Sequence, residues 1–572
     1  MKEEIKKIIN EALRELKIEE TDFAVEHPAD LKNGDYSVNV AMVLAKQLGS
    51  NPRELAEQIA QSVRGQHVRG PLTPEHARGP LTRYPQVEKV EVAGAGFLNF
   101  YLSRKFFADS IAEILEKNDN FGKNEEGKGK KVIIEYSSPN IAKPFTIGHL
   151  RSTIIGHALA NIFEYNGYEV LRDNHLGDWG TQFGKLIVAI KRYGNEEEIG
   201  KAERPVKALT ELYVKFHAEA EKDKTLEDEA RAWFTKLEQG DKEARAIWQK
   251  CVDWSMTEFS KIYERLGASF DMTLGESFFE DKMKTVIEDL EKTDFYKESE
   301  GAKLVFFPDE KHPPLMIQKK DGSTLYGTRD LATDKYRRDT WNPDLVVNEV
   351  GMEQSLYFKQ LFEVEEMLGY FKKEQRVHVA HGLYKFKEGK MSTRKGNVIW
   401  LEDVLDEAKK RAGKINEETA EVVGIGAIKF NDLRSESRKD IIFNWGDILN
   451  LDGDSGPYVQ YSYVRTKAIE NKAKELGIEK SIAQPTEEIF EIEKLLYRFP
   501  EVVSRARETY APHVIAQYLL EVAHEFSSFY GNTQVLKEED PFSPYKLAVV
   551  EATGIVIKKG LWILGIQTPE KM

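Results

Sequence analysis

Hydrophobic positions along the chain change period several times, and each change marks an element. From residue 2 to 17, Ile5, Ile8, Ile9, Ala12, Leu13 and Leu16 recur at helical spacing. Val87 to Val92 alternates as a strand does, and Phe97 to Leu102 reads as a second strand, so a small α/β domain is expected over 1–104. After a polar Gly- and Lys-rich linker at 124–130, Lys131-Val132-Ile133-Ile134-Glu135-Tyr136 reads as a buried strand. A loop, a helical pattern near 149–166 and a strand from Tyr168 to Leu171 follow. This strand–loop–helix–strand order implies a parallel sheet with a right-handed crossover. Charged, helix-rich sequence at about 200–270 reads as an insertion. Strand-like runs return at 303–307, 344–349 and 376–380, which places a parallel-sheet domain over 125–454. From 455 to 572 the pattern is helical, and a separate all-α bundle is expected there.

Composition narrows the class. A chain of 572 residues with 41% hydrophobic and 31% charged residues is expected to be a multidomain globular protein. The start is charged from Lys2 and lacks the apolar centre of a signal peptide, and no apolar run of membrane-spanning length occurs. The single Cys251 excludes an intramolecular disulfide and a Cys-rich zinc site, so a reducing, cytoplasmic compartment is expected. The net charge of −14 excludes a uniformly basic coat protein, yet leaves room for a local RNA-binding track. One such candidate is the stretch 64–85, where Arg69-Gly70-Pro71-Leu72-Thr73 recurs as Arg78-Gly79-Pro80-Leu81-Thr82. With Arg64 and Arg83 these arginines face a lone acid, Glu75. The stretch reads either as a solvated irregular loop or as an arm touching RNA phosphates.

Two segments carry chemistry. Ser137-Ser138-Pro139-Asn140-Ile141-Ala142-Lys143-Pro144-Phe145-Thr146-Ile147-Gly148-His149 follows the strand at 131–136 and precedes a helix. Ligands of open parallel sheets bind at that place, and a helix N-terminus favours phosphate. Gly148 allows close approach; His149 either donates to a phosphate or caps the helix; Lys143 supplies a point charge. The second segment, Lys390-Met391-Ser392-Thr393-Arg394-Lys395-Gly396-Asn397, reads either as a solvated turn or as a clamp over a polyphosphate.

Together these strings resemble the HIGH and KMSKS signatures of class I aminoacyl-tRNA synthetases. Ser137 to Phe145, Gly177-Asp178-Trp179-Gly180-Thr181-Gln182-Phe183-Gly184, Tyr326 to Ala332 and Leu564 to Met572 resemble the arginyl-tRNA synthetase family in particular. The resemblance covers nearly the whole chain outside 64–85. Two positions depart from the motifs: Thr146 stands for the first His of HIGH, and Thr393 for the second Lys of KMSKS, where Lys143 is placed to compensate.

The resemblance implies a class I Rossmann-like catalytic domain over 125–454. An N-terminal domain would contact the tRNA elbow, and a C-terminal bundle the anticodon. It implies activation of L-arginine by ATP, carried with Mg2+, to arginyl-adenylate and pyrophosphate, then transfer to the terminal adenosine of tRNA(Arg). Lys143, His149, Lys390 and Arg394 are the expected catalytic residues. Pro139, Asn140, Thr146, Gly148, His149, Lys390, Met391 and Ser392 are expected to bind ATP. Glu135, Ser138, Asn140, Tyr326, Asp330 and Gln354 match the arginine pocket, with Glu135 and Asp330 on the guanidinium. Tyr326 and Asp330, four apart, would share a helix face. Tyr458, Tyr461 and Arg465 are expected to meet tRNA by stacking and phosphate contact. No protein-built metal site, membrane contact or obligatory protein partner is expected, and the family suggests a monomer. The alternative is a noncatalytic RNA-binding or regulatory paralogue, invited by Thr146; another class I specificity is the lesser alternative.

Overall fold

The computed structural model describes residues 1–65, 80–308, 311–320, 322–385 and 399–572. Arg69 and Arg78 of the repeat, and Lys390, Met391, Ser392, Thr393 and Arg394, lie outside the described residues. The chain divides into two compact units. One comprises Met1–Phe121, Arg465–Phe499 and Glu521–Val556; the other comprises Gly122–Val464, Pro500–Leu520 and Ile557–Met572.

In the first unit, Val25–Glu26, Tyr36–Val38, Phe97–Leu102 and Val87–Ala93 form an antiparallel sheet in that spatial order. The helix Lys2–Glu15 buries Ile5, Ile8, Ile9, Ala12 and Leu13, the stripe expected from their spacing. A further helix, Pro52–Arg64, begins where the Asn51 side chain accepts from the backbone of Arg53 and Glu54. This helix corrects the loop expected from residue 64. Arg64 is its last residue and donates to the Val90 carbonyl at 3.2 and 2.6 Å. Arg83, at the end of a short 3-10 turn, pairs with Glu11 at 3.1 Å. Arg64 is therefore tied to the fold, whereas Arg83 stays largely exposed in a surface ion pair. Within the same unit the Arg104 guanidinium, Glu493 and the Tyr545 hydroxyl form a hydrogen-bonded cluster.

The second unit is built on a parallel sheet. Its strands are β1 (Lys131–Glu135), β2 (Glu169–Asn174), β3 (Met272–Thr273), β4 (Leu345–Gly351) and β5 (Arg376–His381), in the order β5-β4-β1-β2-β3. Val132, Ile133 and Ile134 of β1 are buried on both faces, as a central parallel strand requires. Helix α1 (Ile147–Tyr165) crosses from β1 to β2 and is buried almost all round. It approaches so closely at Gly156 that a Cβ there would meet Tyr136 at 2.1 Å. The insertion is the helices Pro205–Lys222, Thr225–Glu238 and Lys242–Leu266. Helices α2 (Tyr326–Trp341) and α3 (Ser355–Met367) flank β4. The chain is thus an α/β protein with a Rossmann-like parallel sheet and a helical C-terminal segment, from Gly456–Glu475 to Ser543–Ile563. Among the described residues no helix is long and apolar enough to cross a membrane.

Candidate functional site

Parallel register sets three polar side chains side by side at the C-terminal end of the sheet. Asp173 of β2 is opposite Glu135 of β1, and Glu135 is opposite Asn348 of β4. Neighbouring carboxylates repel, and burial makes that worse. The fold answers with Arg337 from α2. Its guanidinium donates to Glu135 Oε2 at 2.5 Å, to Asp334 Oδ1 at 2.8 Å and, through Nε at 3.1 Å and also Nη2, to Asp173 Oδ2. Asn348 donates to Glu135 Oε2 at 2.9 Å. Arg376 extends the chain to Asp334 Oδ2 at 2.8 Å and pairs with Glu365 at 3.0 Å. Burial pushes Asp173 up to about 6 despite Arg337. Asp334 is held below the usual carboxylate range: burial opposes this, but Arg376 and Arg337 win.

A cavity of about 360 Å³ opens above this network. Its wall is acidic: Glu135, Glu276, Asp330, Asp334 and Glu349 all line it, while Arg337 is already committed to carboxylates. Asp330 accepts from the Tyr357 hydroxyl. Burial raises its carboxyl to about 7, the Tyr357 bond opposing and Glu135, Glu276 and Asp334 adding to the rise. Burial likewise raises Glu276 to about 7. Carboxyls poised in this way ionise fully when a cation arrives, so this end of the cavity suits a cationic side chain. Tyr326 starts α2, is 56% exposed and lies edge-on to Tyr357, their centroids 4.8 Å apart.

The other end is formed by the loop from β1 into α1. Ser137, Ser138 and Ala142 all take positive φ (71°, 45° and 57°), each costing roughly 1 kcal/mol. The conformation is pinned from outside. Ser137 N donates to Ser152 Oγ at 2.9 Å, Ser138 N to Asn174 Oδ1 at 3.2 Å and Ala142 N to Ser255 Oγ at 2.9 Å. Thr146 is the N-cap of α1, its side chain accepting from Gly148 N at 3.3 Å. In return His149 Nδ1 accepts from Thr146 N at 3.0 Å. That bond makes Nε2 the protonated nitrogen, and burial pushes the ring down to about 4. His149 therefore caps the helix and is also a neutral donor lining the cavity. Lys143 is exposed on the same loop, near enough to act electrostatically on His149 and Glu276.

The cavity brings together Glu135, Ser138, Asn140, Gly148, His149, Tyr326, Asp330 and Gln354 of the residues singled out from sequence. Pro139, Lys143 and Thr146 belong to the same loop without lining the cavity. Among the described residues the Ser138 hydroxyl is buried without a partner, and Glu135 already carries two protein donors on one oxygen. Tyr458, Tyr461 and Arg465 lie on the helix Gly456–Glu475 and are not among the residues that line the cavity. Tyr461 is exposed and Arg465 stands over the Tyr530 ring at 5.2 Å. Sequence reading missed Asp173, Arg337, Asn348, Glu276 and Tyr357. Of these, Arg337 carried a signal, since Tyr326, Asp330, Asp334 and Arg337 continue one helical face. Gly177 and Asp178 are structural. A Cβ at Gly177 would meet Asn140 Oδ1 at 2.4 Å, and Asp178 accepts from Ser277 N and Oγ at 2.8 and 2.6 Å.

Residues 110–445 match the family of class I (R) tRNA synthetase catalytic domains, 459–572 the DALR anticodon binding domain and 3–102 the arginyl tRNA synthetase N-terminal domain. An arginine–tRNA ligase of Halothermothrix orenii is 39% identical over 584 residues, spanning 100% of this chain and 99% of that one. An arginine–tRNA ligase of Clostridium perfringens is 41% identical over 588 residues, spanning 99% and 100%. The solved arginyl-tRNA synthetase of Thermus thermophilus matches with a TM-score of 0.81 at 26% identity over 99% of each chain. That of Plasmodium falciparum gives 0.81 at 24% identity over 100% of this chain and 99% of the other, a likeness of fold.

Proposed function

The chain belongs to the arginyl-tRNA synthetase family, and from that premise we propose how its cavity divides the work of an ATP-dependent arginine–tRNA ligase. The reaction activates L-arginine with ATP, releasing pyrophosphate, and passes arginine to the 3′ terminal adenosine of tRNA(Arg). The observation that carries the division is the asymmetry of charge: an acidic end around Asp330 and an end around His149 made of neutral donors with the exposed Lys143 nearby.

At the acidic end, Asp330 and Glu135 receive the substrate guanidinium with Tyr326 beside it. Ser138, Asn140 and Gln354 hold the α-amino and carboxylate groups. A guanidinium fork matches fixed acceptors, whereas a lysine ammonium does not span them. At the other end Gly148 and the Nε2–H of His149 receive ATP phosphate oxygens, with Pro139, Asn140 and Thr146 shaping the loop around the nucleotide. The arginine carboxylate attacks the α-phosphorus, pyrophosphate leaves, and Lys143, Lys390 and Arg394 offset the developing charge, with Met391 and Ser392 completing the clamp. Magnesium enters as part of the ATP substrate. Its natural ligands there are phosphate oxygens and water. The 2′-hydroxyl of the terminal adenosine then attacks the acyl carbon of the adenylate, the acyl–phosphate bond breaks, AMP leaves with that oxygen and the hydroxyl proton is lost to the departing phosphate or to water. The proposal extends to tRNA elbow contact by 1–104 and a catalytic domain over 125–454 carrying the helical insertion. Residues 455–572 read the anticodon through Tyr458, Tyr461 and Arg465, and the protein acts as a cytosolic monomer that needs no protein partner. Arginine-dependent ATP–pyrophosphate exchange, measured with and without tRNA(Arg) and with lysine as control, tests it. Exchange with arginine alone, and strongest with tRNA, is the expected result; equal exchange with lysine would remove the proposed division.

A further inference from the structure

We infer that Tyr357 is a positioning residue for arginine selection, fixing the carboxylate of Asp330 with its hydroxyl and the ring of Tyr326 with its own. The inference rests on the reading of Asp330 and Tyr326 as the guanidinium-binding pair, and deepens it. Tyr357 lies in the first turn of α3 and lines the cavity. Its hydroxyl donates to Asp330 Oδ2. Among the described residues the one side-chain donor to this carboxylate is on Oδ2, which leaves Oδ1 for a ligand. An aspartate carboxylate otherwise turns freely about its last bond. With Oδ2 pinned, Oδ1 keeps one direction, as an acceptor for a planar fork must. The ring of Tyr357 meets that of Tyr326 at 63°, centroids 4.8 Å apart, and buttresses a side chain that is 56% exposed.

A pinned carboxylate matters more for a guanidinium than for an ammonium. An ammonium is a point charge whose donors rotate to follow any carboxylate orientation; a guanidinium has a fixed fork. Tyr357 thus acts on discrimination as well as affinity. It also acts on charge. The groups facing Asp330 are Glu135 from β1, Glu276 from the 3-10 turn Glu276–Lys282 and Asp334 from its own helix, all disfavouring ionisation, and Tyr357 from α3, whose donor favours it. Removing the hydroxyl while keeping the ring moves the carboxyl further toward its neutral form. The arginine site then needs a higher pH to ionise.

The test is Tyr357→Phe in the full chain, with Asp330→Asn beside it. ATP–pyrophosphate exchange is followed from pH 6 to 9 in the presence of tRNA(Arg), with KM taken for arginine and for ATP. For Tyr357→Phe the arginine KM is expected to rise about tenfold at pH 7. The deficit should shrink toward pH 9 and the inflection should move to higher pH. An ATP KM and a kcat near the parent's show that the variant is folded. An arginine KM and pH profile equal to the parent's, while Asp330→Asn loses arginine, would overturn the role of Tyr357 and leave the pair reading intact. A KM rise identical at every pH would reduce Tyr357 to packing and also overturn it. If Asp330→Asn leaves the arginine KM unchanged, the pair reading fails and this inference falls with it.

Discussion

Beneath the acidic end of the cavity, Glu135, Asp173, Asp334 and Glu365 are held by Arg337 and Arg376, all buried and on regular elements. At the nucleotide end the groups are a loop with three residues at positive φ, a neutral histidine and an exposed lysine. The first region is a fixed charge pattern assembled before any ligand arrives. The second offers donors and helix-end partial charge, and is proposed to take its full cations from Lys143, Lys390 and Arg394. The contrast follows from the ligands. A guanidinium is recognised in the ground state and needs acceptors that do not move. A phosphate undergoing displacement gains charge only in the transition state, which favours cations that engage then.

The contrast yields variants that separate the two regions. Asp330→Asn is expected to have the largest effect, lowering kcat/KM for arginine by 100-fold or more, about 3 kcal/mol, with the ATP KM little changed, as measured by pyrophosphate exchange. Lys390→Ala should do the reverse: kcat falls by about 100-fold while the KM for arginine stays put. Equal effects of both variants on both parameters would erase the distinction. Arg337→Met leaves Glu135 and Asp173 facing each other without their cation, while Asp334 keeps Arg376. Its expected cost is about 3–5 kcal/mol of stability, read as a fall in the urea midpoint; a midpoint unchanged from the parent would mean that the network is dispensable. Thr146→Ala removes the cap of α1. Stability should drop by about 1 kcal/mol, and the ATP KM should rise a few-fold as Gly148 and His149 lose their placement. The arginine KM should fall as pH rises from 6 to 8, because Asp330 and Glu276, both held near 7, bind a cation only when ionised.

The same contrast explains what the sequence made legible. Tyr326 and Asp330 share a helix face, and the loop from Ser137 to His149 is a contiguous string, so local spacing revealed both. The parallel sheet was legible in Val132-Ile133-Ile134 and in the runs at 344–349 and 376–380, because central parallel strands are apolar on both faces. Arg337, Asp173 and Asn348 were not recognised. They meet through sheet register, as Glu135 with Asn348 do, and through helix-on-sheet packing, as Arg337 with Asp173 do, across more than 160 positions, and no local pattern encodes that. Tyr357 was hidden for the same reason: it is tied to Asp330 from a different helix. Arg64 was misread because the Gly- and Pro-rich stretch after it obscured the end of the helix Pro52–Arg64.

We propose the acidic end as a preformed site for a guanidinium whose arrival ionises Asp330. Titration calorimetry of L-arginine into the full chain at pH 7, without ATP and in two buffers of different ionisation enthalpy, tests it most directly. The account predicts saturable binding of arginine, none of lysine at the same concentration, and a buffer-dependent enthalpy that reports a proton released on binding. Arginine binding with no proton released, or lysine bound equally well, would contradict it.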